Sequence, residues 1–349
     1  MTRTCICTLA VALMLWVSSS GAHHATYVYY DENNRIQVRG TLVDLKLQNP
    51  HSIFVVEGSV FVDGRRQDDA VHRWEIESPG SIFIRRWGIG DETFKVGDLI
   101  TFEGAPSRNP ESKRIYARRF VLRDGTSFSD PRDNAFQFST LDEVEEKEGI
   151  QRLDGMWRRV GSGDADRPLN EVGLAAVEAF DPELSPLNTC ESIGIPAAFF
   201  APGVFAVYID DQEATLHFEY YDVTRTFTLG APPRAFGEDG ALGVASARIE
   251  GDTLVIRSGG FPASRWGLGQ IHETDSETDV PSSEMKNVEE RYTPTDGGLG
   301  IVLEMTVRDP VYLSETWSER REFRRIADDT PLYPYECDVS GASFFSEEL

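Results

Sequence analysis

Cysteine is scarce, basic charge is outnumbered, and no apolar run after the first 17 residues is long enough to cross a bilayer. The 349 residues hold four cysteines, six histidines, and 34 Lys and Arg against 58 Asp and Glu. A net charge of −24 repels phosphate backbones, which argues against nucleic acid as a partner. No EF-hand spacing accompanies the acidity, so it reads as a solvated surface. Gly161-Ser162-Gly163 is followed by neither a phosphate-loop lysine nor a nucleophile-elbow pattern, and reads as a turn. Asp164/Asp166 and Asp210/Asp211 sit in turn contexts, where Asp serves local hydrogen bonding, so they do not suggest a glycosidase pair.

What is present begins with an address. Arg3 precedes an apolar stretch from Cys5 to Val17, and Ser18-Ser19-Ser20-Gly21-Ala22 supplies small residues at the −3 and −1 positions of a signal peptidase site. The expectation is cleavage between Ala22 and His23, export to the periplasm or beyond, and no transmembrane segment in the mature chain. Cys5 and Cys7 lie inside the apolar run and leave with it. Cys190 and Cys337 remain, and in an oxidising compartment they most simply pair with each other. Closing so long a loop is worth on the order of 5 kcal/mol in the chain-entropy account.

Charge and pattern divide the rest. Residues 23–130 carry 15 basic and 16 acidic side chains; residues 131–349 carry 18 and 42. The expected organisation is a signal peptide over 1–22, a β domain over 23–125, an acidic linker with a short helix over 126–150, and a second β domain over 151–345. Alternating runs at 36–47, 52–57, 71–77, 98–104 and 117–123 read as strands. A short helix enters after Ser78-Pro79, with Ser78 as N-cap. Three strands, a helix and two strands match an OB-like small barrel. The second domain is dominated by hairpins, among them the turns at Asp210-Asp211 and Gly251-Asp252. One helix over 170–180, capped by Asn170, precedes them. The fold class is therefore mainly β: an OB-like barrel followed by a larger antiparallel lipocalin-like barrel or sandwich, whose edges need closure or cover.

Ala22-His23-His24, Gly40, Asn49-Pro50-His51, Trp74-Glu75-Ile76-Glu77-Ser78-Pro79, Arg86-Trp87-Gly88 and Gly97-Asp98 resemble a family of secreted bacterial proteins known only as a domain of unknown function. The resemblance covers residues 22–125. In the second half, Glu250-Gly251-Asp252-Thr253-Leu254-Val255-Ile256, Gly260-Phe261, Glu289-Glu290-Arg291-Tyr292, Asp309-Pro310 and Tyr335-Glu336-Cys337 resemble a group of uncharacterised secreted proteins. Members of that group carry His-Ser where this chain has Ser282-Ser283. Neither resemblance implies a reaction.

Two sets of residues could carry chemistry. Cleavage after Ala22 would give His23 a free α-amine. With its ring, His24 nearby and a third imidazole from His51 or His72, that terminus could bind copper; the plain alternative is a solvated end. Asn49-Pro50 reads as a turn that aims His51, either at a ligand or at a backbone carbonyl. Strand alternation puts His217, Glu219 and Tyr221 on one face, and with Arg225 they could line a polar pocket inside the second barrel. Arg291 carries the same two readings, pocket or exposed ion pair, because one residue of register flips the face. Without a recognisable catalytic constellation, the leading expectation is an exported protein that binds a small molecule, glycan or envelope protein. A copper enzyme using His23 is the alternative.

Overall fold

The first sheet is built on two long strands, β1 (Ile36–Lys46) and β2 (His51–Val62), in a computed structural model that describes residues 29–67, 69–129, 136–161, 167–181, 184, 186–273 and 276–342. They are followed by β3 (His72–Pro79), α1 (Ser81–Arg86), β4 (Leu99–Pro106) and β5 (Arg114–Leu122). β1 pairs with both β2 and β4, β4 with β5, and β5 runs parallel to β3, which returns to β2. The ring closes as a five-stranded OB-like barrel. Where β1 and β2 cross, Gly40 faces Gly58, and a Cβ on either would lie 2.4 Å from a carbonyl oxygen of the opposite strand. Only glycine permits that approach. The interior is aromatic: Phe54, Phe102 and Phe120 are fully buried, with ring centroids 5.3–5.4 Å apart.

The α1 start differs from expectation. Ser78 is still in β3, opposite Ser52, and the helix begins after Gly80 with no side-chain cap from its own chain segment. Asn49 does that work from the β1–β2 loop: its amide donates to Ser81 Oγ (2.9 Å) and its Oδ1 accepts from Ile82 N (3.4 Å). In the linker, described residues 136–148 form no helix. Thr140 closes one turn onto Glu143, and the like charges of Glu143, Glu145, Glu146 and Glu148 oppose its continuation.

The second sheet comprises β6 (Gly155–Val160), β7 (Val204–Ile209), β8 (Glu213–Phe218), β9 (Val223–Thr228), β10 (Arg234–Ala235), β11 (Val244–Glu250) and β12 (Thr253–Gly259), then, after a separate hairpin of β13 (Ser264–Glu273) and β14 (Ser276–Ser282), β15 (Asn287–Thr295), β16 (Gly300–Arg308) and β17 (Trp317–Ile326). The order β9-β8-β7-β6-β17-β16-β15-β12-β11-β10 makes a ten-stranded antiparallel sheet curled into a half-barrel. This curled sheet is the larger antiparallel barrel-like unit that the sequence suggested, and β9 and β10 are its edges. α2 (Glu171–Glu178) begins at Asn170, whose side chain accepts from Gly173 N (2.9 Å). Among the described residues no helix is long and apolar enough to cross a membrane.

The Cys190–Cys337 disulfide forms, with 5.7 Å between Cα atoms. It anchors the C-terminal tail, which then lies against the barrel: Asn49 and Cys337 form a parallel bridge, Asp338 N donates to Asn49 O (2.8 Å), and Lys46 meets Asp338 at 2.6 Å. A second tie joins Arg86 of α1 to Glu219 of the half-barrel at 2.5 Å, both side chains buried.

Candidate functional site

The β1–β2 loop, the end of β3 and the C-terminal tail bring the barrel against the half-barrel, and a cavity of about 380 Å³ opens between them. His51, Gly80, Phe83 and Tyr116 line it from the barrel; Tyr220, Tyr221, Trp266 and Asp279 line it from the other side. Its size falls in the range of small-molecule sites.

His51 is the first residue of β2, opposite Pro79. Its diagonal neighbour on β3 is Glu77, and Nδ1 lies 2.8 Å from Glu77 Oε1. Tyr30 donates its hydroxyl to the other carboxylate oxygen at 2.5 Å. Glu77 is completely buried, although alternation along β3 puts it outside the barrel while Trp74 and Ile76 point in. It is covered by a small cluster outside the barrel wall, where Tyr30, Ala105 and Tyr116 pack together. Tyr116 is its register partner on β5. Burial, with Glu77 nearby, raises the Tyr29 phenol above its ordinary pKa. The contact is one of ion-pair distance without an aligned hydrogen bond, and it places a buried carboxylate beside one ring nitrogen of an imidazole that lines the cavity.

The opposite wall is a turn. β8 ends at Phe218, and Glu219 to Asp222 leave the strand with Tyr221 and Asp222 in the left-handed region (φ 62° and 52°). That backbone is costly for bulky residues and is maintained only by strong surrounding contacts. Here the contacts are aromatic: Tyr221 stacks on Tyr335 at 4.6 Å, and Tyr220 meets Tyr335 at 4.8 Å and Phe83 of α1 at 6.1 Å. Burial, reinforced by neighbouring phenols, holds Tyr221 and Tyr335 well above the ordinary tyrosine pKa, so both stay neutral donors. Neither hydroxyl has an aligned hydrogen-bond partner among the described residues. Asp279 is buried beside them.

The candidates read from the sequence separate accordingly. His51 and Tyr221, which seemed unrelated, line one cavity. Glu219 stands behind it, accepting from Val204 N (3.2 Å) and Tyr333 N (2.9 Å) and pairing with Arg86. His217 faces outward, bonded to Thr224 Oγ1 at 2.7 Å, and burial lowers its pKa. Arg225 pairs in register with Leu216 and so points into the half-barrel, where it holds Glu290 through two bonds of 2.8 and 2.6 Å. The alternation argument failed because the strand ends at Phe218 and the turn resets the faces. Arg291 lies on the outer face with Glu250 (3.0 Å) and Glu289 (3.6 Å). His72 pairs with Gly58, seven residues along β2 from His51, which is about 23 Å at strand spacing. The two imidazoles therefore cannot share a metal. Ala22, His23 and His24 lie outside the described residues, among which no group of three or more His, Cys, Asp or Glu could hold a metal ion.

Tyr30, Tyr116 and Asp279 carry no signal in the sequence, and Glu77 and Tyr335 enter it only as members of the quoted motifs, without a site role. Glu77 had one usable signal, an acidic residue one position after the inward Ile76 and diagonal to His51.

Residues 12–115 match a family of unknown function (DUF6152). The matched segment contains Tyr30, His51 and Glu77 and stops one residue before Tyr116. Comparison with curated proteins and with solved structures gave no match.

Proposed function

We propose that this is an exported binding protein whose ligand site is the cavity between the barrel and the half-barrel. The ligand class that suits the walls is a small planar compound bearing hydroxyl or carboxyl groups. Phe83, Phe200 and Trp266 supply apolar faces, and His51, Tyr221 and Asp279 supply hydrogen-bonding groups. The observation that carries the reading is the His51–Glu77–Tyr30 cluster: a buried carboxylate and phenol beside an imidazole that lines the cavity. Supports for export are the signal-like first 22 residues and the Cys190–Cys337 disulfide.

The test is crystal soaking of the full mature chain with a set of hydroxylated aromatics and aromatic acids, repeated on Ala201→Trp. Ala201 lines the cavity without contributing a polar group, so the larger residue fills it. Density in the cavity of the wild type, lost in the variant, is expected. Binding elsewhere, or binding that survives the block, overturns the reading.

A further inference from the structure

We propose that Lys286 is a nucleophilic amine that captures a small aldehyde or ketone as an imine, in a second cavity on the far side of Trp266. This inference is independent of the site between the two sheets. The second cavity has a volume of about 610 Å³ and is lined by Trp266, Ser264, Gly267 and Lys286.

The setting of the amine is unusual for a lysine. Lys286 is 2 % exposed. Its Nζ donates to Gly267 O at 3.0 Å and stands 4.3 Å from the centre of the Phe261 ring. No carboxylate of the described residues comes within ion-pair distance of it. The nearest acidic influence is Asp309, whose oxygens are already engaged by Ser283 N (2.6 Å), Ser283 Oγ (2.7 Å) and Val311 N (3.1 Å). Glu191, Glu238 and Arg265 are the other charged residues around the cavity. Burial dominates and pushes the ammonium down to about 7, with Asp309 opposing the shift. A large share of the amine is therefore neutral near pH 7, the condition for a nucleophilic lysine.

A hydroxyl is at hand. Ser282 Oγ is buried and has no hydrogen-bond partner among the described residues. A Cβ on Gly267 would sit 1.9 Å from Ser282 Oγ and 3.0 Å from Lys286 Nζ, so hydroxyl and amine both pack against the backbone of Gly267, within reach of one another, where no larger residue fits. In the proposed step the Nζ lone pair bonds to the carbonyl carbon, and the C=O pair moves to oxygen, which gains a proton as nitrogen loses one. The carbinolamine then expels that oxygen as water while nitrogen gives up its remaining proton and forms C=N. No oxidant or reductant is needed. Ser282 is placed to hydrogen-bond the departing oxygen as a positioning residue.

The chain has only five lysines, and the other four make a built-in control: Lys46, Lys95 and Lys147 pair with carboxylates, and Lys113 lies over Trp74. Full-length mature protein is incubated at pH 7 with benzaldehyde and cyanoborohydride, which reduces the imine to a stable benzylamine, and each lysine is mapped by peptide mass spectrometry. Lys286 is expected to be labelled at least about tenfold faster than any other lysine, with the margin shrinking at pH 10. Labelling of Lys286 no faster than the others, or none at all, overturns the proposal. The comparison is made within the wild type, so it does not depend on a Lys286 variant folding.

Discussion

Inside the five-stranded barrel the buried side chains include Val38, Leu42, Phe54, Ile76, Ile100, Phe102 and Phe120, and among the described residues no charged side chain is buried with them. Inside the half-barrel, Arg225 and Glu290 are fully buried together, Tyr292 donates to the same carboxylate at 2.8 Å, and Glu319 and Arg321 face inward from β17. The difference follows from closure. Five strands enclose a space that aromatic rings fill completely, whereas ten strands curl around a wider one that long arginine side chains can span. Among the described residues the barrel strands bury one acid, Glu77, which lies outside the wall between Tyr30 and the cavity-lining His51. Polar burial is thus a property of the half-barrel and of the seam, and the seam is where the cavity lies.

This contrast can be broken by experiment, beginning with pH. Below pH 7 Lys286 carries its proton in both folded and unfolded chains. Between about 7 and 10.5 only the unfolded chain holds it, so raising pH favours the folded state, by roughly 4–5 kcal/mol at the limit. Above about 10 the sign reverses, because Tyr221, Tyr292 and Tyr335 keep their protons when folded and lose them when unfolded. Hydrogen exchange followed against pH should show protection in the half-barrel rising to a maximum near pH 9–10, with the barrel strands moving far less. Equal responses in both would remove the distinction.

Next in size is Arg225→Ala, which strands Glu290 in the half-barrel and should cost roughly 3–5 kcal/mol in urea unfolding. Arg225→Met combined with Glu290→Leu should recover most of that loss, since the penalty comes from the unpaired charge. Loss of the disulfide in Cys190→Ser/Cys337→Ser should cost about 2–4 kcal/mol and expose the amides of Asn49 and Asp338 to exchange, loosening the seam. The smallest effect is expected at Asn170→Ala, about 1 kcal/mol from one helix cap, read as a small shift in melting temperature.

The barrel was largely legible in the sequence because its strands alternate and its helix falls where the OB-like order requires. Along Trp317–Ile326 buried and exposed residues alternate, a period-two pattern that the sequence itself carries. β6, β9 and the β13–β14 hairpin were missed: β9 is a threonine-rich edge strand with one arginine, and Arg225 resembles a surface residue until its pairing with Glu290 is seen. The cavity was legible only in fragments. His51 drew notice through Asn49-Pro50, but its partner Glu77 reads as a solvent-facing position on an isolated barrel. Its burial depends on Tyr30, 47 residues away in the chain. Tyr221 was noticed on a face that the structure does not give it, because a left-handed turn leaves no mark in a pattern of alternating residues.

The central claim is that the cavity beside His51 binds a small planar ligand. Histidine side-chain NMR on the protein, titrated with 4-hydroxybenzoate, tests it directly. His51 lines the cavity, His72 lies at the far end of β2 and His217 on the outer face of the half-barrel, so the three report separate places. The account predicts that the His51 ring resonances move with saturation while those of His72 and His217 hold still. A titration in which His51 does not move, or moves no more than His72, would contradict it.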